Sequence, residues 1–310
     1  MNPRAVAAGA FHALALNADG TVAAWGRNLD GQINVPLAAT NVVAIAAGGY
    51  HSLALSDDGS VLAWGCDWDG QTDVPQLATN VVSIAAGLAH SLVLCLDGTV
   101  VAWGNNECGQ TNVPPQAQGV VAIAAGYYHS LALRSDHTVV AWGLGSTVPD
   151  SATNVVAIAG GWWHSLALRA DATVVAWGDN SYGQCEVPES ATNIVGIAAG
   201  YAHSLALRAD GTTITWGNGF WGVTNAPAGL ANVAGIAAGQ DYSLAMIELG
   251  PPRFSQPLQA AEAHVGGQVI LATSVSGTCP LALQWFHDDA AIEGATSTAR
   301  RKFVRPSAWS

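Results

Sequence analysis

Lysine is all but missing: Lys302 stands alone in 310 residues, and 10 basic residues against 22 acidic ones leave a net charge of −12. So few cations cannot form the clustered footprint that phosphate backbones and anionic membranes require, which argues against nucleic acid as a partner. Charge of either sign is scarce, at 10% of residues, whereas half are apolar, so disorder is excluded for most of the chain. Long hydrophobic runs are also lacking. Stretches such as residues 42–48 stop at about seven residues where a membrane-spanning helix needs about twenty, so no membrane insertion is expected. The five cysteines, Cys66, Cys95, Cys108, Cys185 and Cys279, form no CxxC pair and have no histidine at metal-ligand spacing. They read as small apolar fillers, with no disulfide framework, zinc site or cofactor. The opening Met1-Asn2-Pro3-Arg4 does not begin a secretory signal.

What the sequence has in abundance is repetition. A small-residue triplet ending in glycine recurs at Gly9, Gly48, Gly87, Gly126, Gly161, Gly200 and Gly239, spaced by 39 residues except for one step of 35. Three residues on stand His12, His51, His90, His129, His164 and His203, with Tyr242 in the seventh copy. A Trp-Gly pair follows at Trp25, Trp64, Trp103, Trp142, Trp177 and Trp216, and then a Gly-Gln-x-x-Val-Pro stretch such as residues 109–114. A period in this range predicts a solenoid or propeller. β-Branched runs of four to seven residues and Asp-Gly turns at Asp19, Asp58, Asp97 and Asp210 predict antiparallel meanders. The expectation is all-β: a seven-bladed propeller of four-stranded 39-residue units over residues 1–248, with a linear β-solenoid as the competing geometry.

Ala-Ala-Gly-x-x-His-Ser-Leu-Ala-Leu followed by Thr-Val-x-Ala-Trp-Gly resembles the regulator-of-chromosome-condensation repeat over about residues 2–248. The short unit is similar to bacterial members, which include a secreted propeller that inhibits β-lactamases. That resemblance implies an extracellular or cell-surface location and a loop face that binds protein. It also implies rings closed by a blade built from both chain ends. Seven first halves but six Trp-Gly halves leave one blade incomplete, and the missing strands are expected upstream of Met1.

Beyond residue 248 the period stops. Residues 249–299, with Trp285 as the prospective core tryptophan, resemble the first strands of a truncated immunoglobulin-like domain without its usual disulfide partner. Residues 300–310, holding Arg300, Arg301, Lys302 and Arg305, read as an irregular basic tail suggestive of a frameshift.

The repeated His-Ser pairs suggest a hydrolase only superficially. Nucleophilic catalysis needs one oriented base beside one nucleophile, and neighbours on a strand point to opposite faces, so these histidines read as structural, bonding neighbouring backbone. The recurring tryptophans read as packing between blades. The loop before each histidine and the loop after each Trp-Gly should share one face of the propeller, and both vary between repeats. Residues 1–250 hold eighteen aromatics. Apart from the six repeated tryptophans and Tyr242, all fall in those two loops: Phe11, Tyr50, Tyr127, Tyr128, Trp162, Trp163 and Tyr201 in the first, Trp68, Tyr182, Phe220 and Trp221 in the second.

Such a patch marks a recognition face, with Asp67, Asp69 and Asp179 among its acidic rim beside Asp30, Glu107 and Asp241. The fourth repeat lacks four residues and its Gly-Gln after Trp142-Gly143, which predicts a notch beside Trp162 and Trp163. The reading is a non-enzymatic propeller that binds a protein partner, inhibitory or adhesive. Carbohydrate or cell-wall binding is the first alternative and an enzyme working in the central channel the second.

Overall fold

Alternating Val, Ile and Ala make each unit's opening run a strand, the small-residue turn reverses it, and the His-Ser-Leu-Ala-Leu run returns as its partner. In the computed structural model, blade 1 is Pro3–Ala8, His12–Asn17 and Val22–Gly26; blade 2 is Val42–Ala47, His51–Ser56 and Val61–Gly65; blade 3 is Val81–Ala86, His90–Cys95 and Val100–Gly104. Blade 4 is Val120–Ala125, His129–Arg134 and Val139–Gly143; blade 5 is Val155–Gly160, His164–Arg169 and Val174–Gly178; blade 6 is Ile194–Ala199, His203–Arg208 and Thr213–Gly217. Blade 7 has two strands, Val233–Ala238 and Ser243–Ile247. The structure describes residues 3–227 and 229–247, except for the Trp221 side chain, and beyond them the backbone of short strands between 253 and 303.

Every blade is an antiparallel sheet of consecutive hairpins. Each opening strand carries a bulge after its first residue, as between Val120 and Ala122. Before it stands Asn41, Asn80, Asn154, Asn193 or Asn232 at positive φ, a conformation that asparagine tolerates better than branched residues. The fourth strand expected in each unit is not formed. After Trp-Gly the backbone folds into successive turns, with Asn34 N–H bonding to Gly31 O and Ala39 N–H to Pro36 O, so its hydrogen bonds are local rather than laddered.

Middle strands are buried on both faces, which requires a neighbour on each side. Between blades 2 and 3 the core is Leu53, Leu55, Ile84, Val93 and Trp103, and Leu14, Leu16 and Trp64 repeat the arrangement one blade earlier. The ends of all seven opening strands, from Gly9 to Gly239, line one cavity of about 60 Å³, so the seven units close around a common axis. Glycine is obligatory there: a Cβ on Gly87 would lie 2.5 Å from Gly126 O and 2.1 Å from His90 Cε1.

The unit Pro3–Ile247 is separate from the C-terminal residues. Among the latter, Gln268–Ala272 pairs antiparallel with Ala299–Phe303. Residues 300–303, read from the sequence as irregular tail, thus lie in a strand whose main-chain groups are met by Gln268–Ala272. Trp285 lies outside the described residues.

Candidate functional site

The repeated polar residues form a staple between blades. Ser52 Oγ and Trp64 Nε1 of blade 2 both donate to the main-chain carbonyl of Gln32 in blade 1, each at 2.9 Å. Gln71, Gln110 and Gln184 receive the same pair of donors from the following blade. Because that serine proton is committed to the carbonyl, the hydroxyl oxygen accepts from the histidine one blade back: His12 Nε2–Ser52 at 2.8 Å, His51–Ser91 at 2.9 Å, His90–Ser130 at 3.0 Å, His164–Ser204 at 2.9 Å. These rings are neutral with the proton on Nε2. Burial pushes His12, His129 and His203 down to about 4 and His51, His90 and His164 to about 3. The histidines are structural, as expected, but their partner is a serine side chain rather than backbone.

Three junctions depart from the staple. Between blades 6 and 7, His203 Nε2 meets Ser243 Oγ at 3.1 Å, but Val223 stands at the glutamine position and no Trp-Gly pair follows Ser243. Between blades 7 and 1, Tyr242 replaces the histidine and Ala13 the serine, and the Tyr242 hydroxyl reaches the carbonyls of Gly9 and His12 instead. Between blades 4 and 5 the missing Gly-Gln leaves Trp177 Nε1 buried without a partner, and Ser165 keeps only its bond to His129 Nε2 at 2.9 Å.

Residues following Trp-Gly are zipped to the residue before each histidine. Arg27 N–H bonds to Phe11 O, Cys66 to Tyr50, Leu144 to Tyr128 and Asp179 to Trp163. The two variable loops of a blade therefore lie side by side. Across blades 4 to 6 the first loops of neighbouring blades bring five aromatics into contact: Tyr127 lies over Trp162 with centroids 3.7 Å apart and planes tilted by 31°, Tyr128 lies 5.0 Å from Trp163, and Trp162 meets Tyr201 edge-on at 4.3 Å. Burial and neighbouring hydroxyls raise the Tyr127 pKa, keeping it a neutral phenol. Phe11 and Tyr50 form a second pair with ring centroids 5.8 Å apart.

Trp68, 86% exposed, and Phe220, 71% exposed, stand out into solvent and join neither group. The Trp221 backbone lies in the short 3-10 turn Phe220–Gly222, and its side chain is outside the described residues. Asp67 serves its own loop, accepting from Thr72 N–H at 2.9 Å, and Asp69 links to the loop of blade 3, accepting from Asn105 Nδ2 at 2.9 Å.

The notch is present. Where blade 4 is four residues short, a groove of about 450 Å³ opens between Leu144, Trp163, Asp179, Tyr182 and Tyr201. Sequence reasoning missed Leu144 in that wall and Arg27, whose guanidinium lies over Phe11 and Tyr50 at 5.3 and 5.6 Å. Position would have found both, since each immediately follows a Trp-Gly pair. Among the described residues no helix is long and apolar enough to cross a membrane, and no cluster of His, Cys, Asp and Glu could hold a metal.

The fold is shared with solved propellers. Prp20p from Saccharomyces cerevisiae matches at 23% identity and a TM-score of 0.64, covering 78% of this chain and 81% of that one. Human WBSCR16 matches at 22% and 0.65, covering 78% and 86%. The ectodomain of the Arabidopsis thaliana receptor kinase ACR4 matches at 22% and 0.57, covering 70% and 80%. No curated protein sequence matches the chain. The profile of the regulator of chromosome condensation (RCC1) repeat matches residues 4–32, 42–71, 81–110, 120–146, 155–184 and 194–220, over half the chain. The staple of glycine, histidine, serine, tryptophan and Gly-Gln that holds these blades together is thus that of a member of the RCC1 repeat family.

Proposed function

We propose that the propeller is a binding protein whose recognition face is the aromatic surface of blades 4 to 6, and that its partner is a protein. The observation that carries this is the chain of five contacting rings from Tyr128 to Tyr201, which continues into an open groove at the notch. The blade cores are already filled by leucine and the repeated tryptophans, so packing does not call for these rings. Aromatic anchors beside a concavity are the usual centre of a protein interface. The axial cavity, about 60 Å³ and lined chiefly by glycine and alanine, has room for a water or two rather than a substrate, which favours binding over channel chemistry.

Prp20p has binding properties toward Gsp1p and histones, and another structure holds it with Kap60, so protein partners on this architecture have precedent. Net charge −12 favours cationic or neutral surfaces.

The test is affinity capture with the native chain beside a Trp162→Ser, Trp163→Ser variant of equal thermal stability. A protein held by the first and lost from the second is the expected result. Equal capture by both places recognition elsewhere, and a captured glycan in place of a protein transfers the face to carbohydrate binding.

A further inference from the structure

The position directly after Trp-Gly is Arg27 in blade 1 and Asp179 in blade 5. In blade 1 the chain supplies its own cation: the Arg27 guanidinium rests over Phe11 of its own blade and Tyr50 of the next. In blade 5, Trp163 stands at the position of Phe11; the next blade has Ala202 where blade 2 has Tyr50, and the rings around the groove are completed by Tyr201, one residue earlier, and by Tyr182 from the second loop. The cation is replaced by a carboxylate. No arginine or lysine is among the groove-lining residues. Trp163 is 38% and Tyr182 48% exposed, so both rings offer free surface to the groove.

The charge on Asp179 is not needed to build its loop. Its carboxylate accepts from Ser181 Oγ at 2.6 Å and Gln184 Nε2 at 2.7 Å, and these bonds hold its pKa below the ordinary carboxylate range. In blade 3 the same turn is held by a neutral oxygen: Asn105 Oδ1 accepts from Gln110 Nε2 at 2.7 Å and from Glu107 N–H at 3.2 Å. An amide suffices for the turn, so the negative charge of blade 5 is available to something else. The groove is open to it because blade 4 ends its loop early, with Leu144 and Gly145 as the far wall.

We propose that this groove binds an arginine side chain presented by the protein partner, the guanidinium stacked on the Trp163 and tyrosine rings and paired with Asp179. Arginine is favoured over lysine because its planar, weakly hydrated head both stacks on rings and pairs with carboxylate. This rests on the recognition face proposed above and names the chemistry it selects.

The experiment follows tryptophan indole resonances of the full chain during titration with N-acetyl-Gly-Arg-Gly-amide and with its citrulline counterpart, which has the same shape without the charge. The arginine peptide is expected to shift the Trp163 signal saturably, with the citrulline peptide about tenfold weaker. Asp179→Asn should fold with unchanged melting temperature, as Asn105 serves the equivalent turn, yet weaken the arginine peptide about fivefold. Trp163→Leu, followed through the arginine peptide's own resonances, should abolish saturation. Equal affinity for both peptides, no saturable shift, or an Asp179→Asn chain that binds as well as the native one would overturn the arginine site. A protein partner lost from the Trp162→Ser, Trp163→Ser variant but held fully by Asp179→Asn would sink this proposal alone and leave the recognition face standing.

Discussion

Six buried, neutral histidines make the ring sensitive to acid in a way that can be worked out in advance. An unfolded histidine takes up a proton near pH 6.5, whereas in the folded blades the same groups protonate at about 3 to 4 because burial disfavours the cation. Between those values the unfolded chain binds more protons, so stability is complete above pH 6.5 and falls as pH drops. The loss is about 1.4 kcal/mol per pH unit per histidine, hence about 2 kcal/mol each at pH 5 and about 12 kcal/mol for the six. Domains of this kind are stable by about 5–15 kcal/mol, so cooperative unfolding is expected near pH 5.

The assay is tryptophan fluorescence and circular dichroism across pH 8 to 3, with proton uptake read from the steepness of the transition. An uptake approaching six protons is expected, falling by one in His51→Gln, whose amide can still donate to Ser91. Unfolding that begins only below about pH 4, where carboxylates titrate, with uptake of one or two protons, would refute the buried neutral ring.

Other consequences of the staple can be measured in parallel. Ser91→Ala removes both the acceptor of His51 and one donor to Gln71, which should cost about 1–3 kcal/mol, whereas Ser165→Ala, with no glutamine carbonyl to lose, should cost less; thermal denaturation compares them. Tyr242→Phe strips the hydroxyl from the blade 7 to blade 1 closure and should lower stability by about 1 kcal/mol, detected first as faster hydrogen exchange in Ser243–Ile247. Gly87→Ala forces a Cβ into the Gly126 carbonyl and is expected to cost about 3 kcal/mol, measured by urea unfolding. Putting residues 105–110 of blade 3 in place of Leu144 and Gly145 should give Trp177 Nε1 its missing carbonyl and raise the melting temperature while closing the groove to the arginine peptide.

The fold was legible because a propeller repeats its instructions. Seven glycines at an interval of 39 residues broken by one step of 35, six of them followed by histidine and the seventh by Tyr242, mark the blades and their number, and the strands fall within those runs. The fourth strand was misjudged because Val-Pro at the end of each unit looks extended, whereas local turns aim its Gln carbonyl at the next blade. The role of that glutamine was hidden for a related reason: its main chain does the bonding, so residue type says little about it. Of the candidate face, the loops and their aromatics were readable, and so was the notch, from a shortened repeat. Which rings touch was not, since contact between Tyr127 and Trp162 depends on how adjacent blades are rotated about the axis. Arg27 escaped attention because aromatic and acidic residues were sought, and its meaning depends on the rings beneath it.

The closure and the notch, two of the irregular junctions, together separate what the ring needs from what it can vary. At the closure, histidine and serine are both replaced and a tyrosine hydroxyl restores the link, so closure is maintained by a different chemistry. At the notch nothing is restored. Trp177 is left with a buried, unbonded N–H, a penalty of about 1–3 kcal/mol that four other blades avoid with a six-residue loop. The junction that leaves this cost uncompensated also carries the largest aromatic cluster and a carboxylate whose charge its own turn does not need. The shortened loop leaves Trp163 and Asp179 lining one open groove, so the lost staple and the open groove have one origin in the sequence.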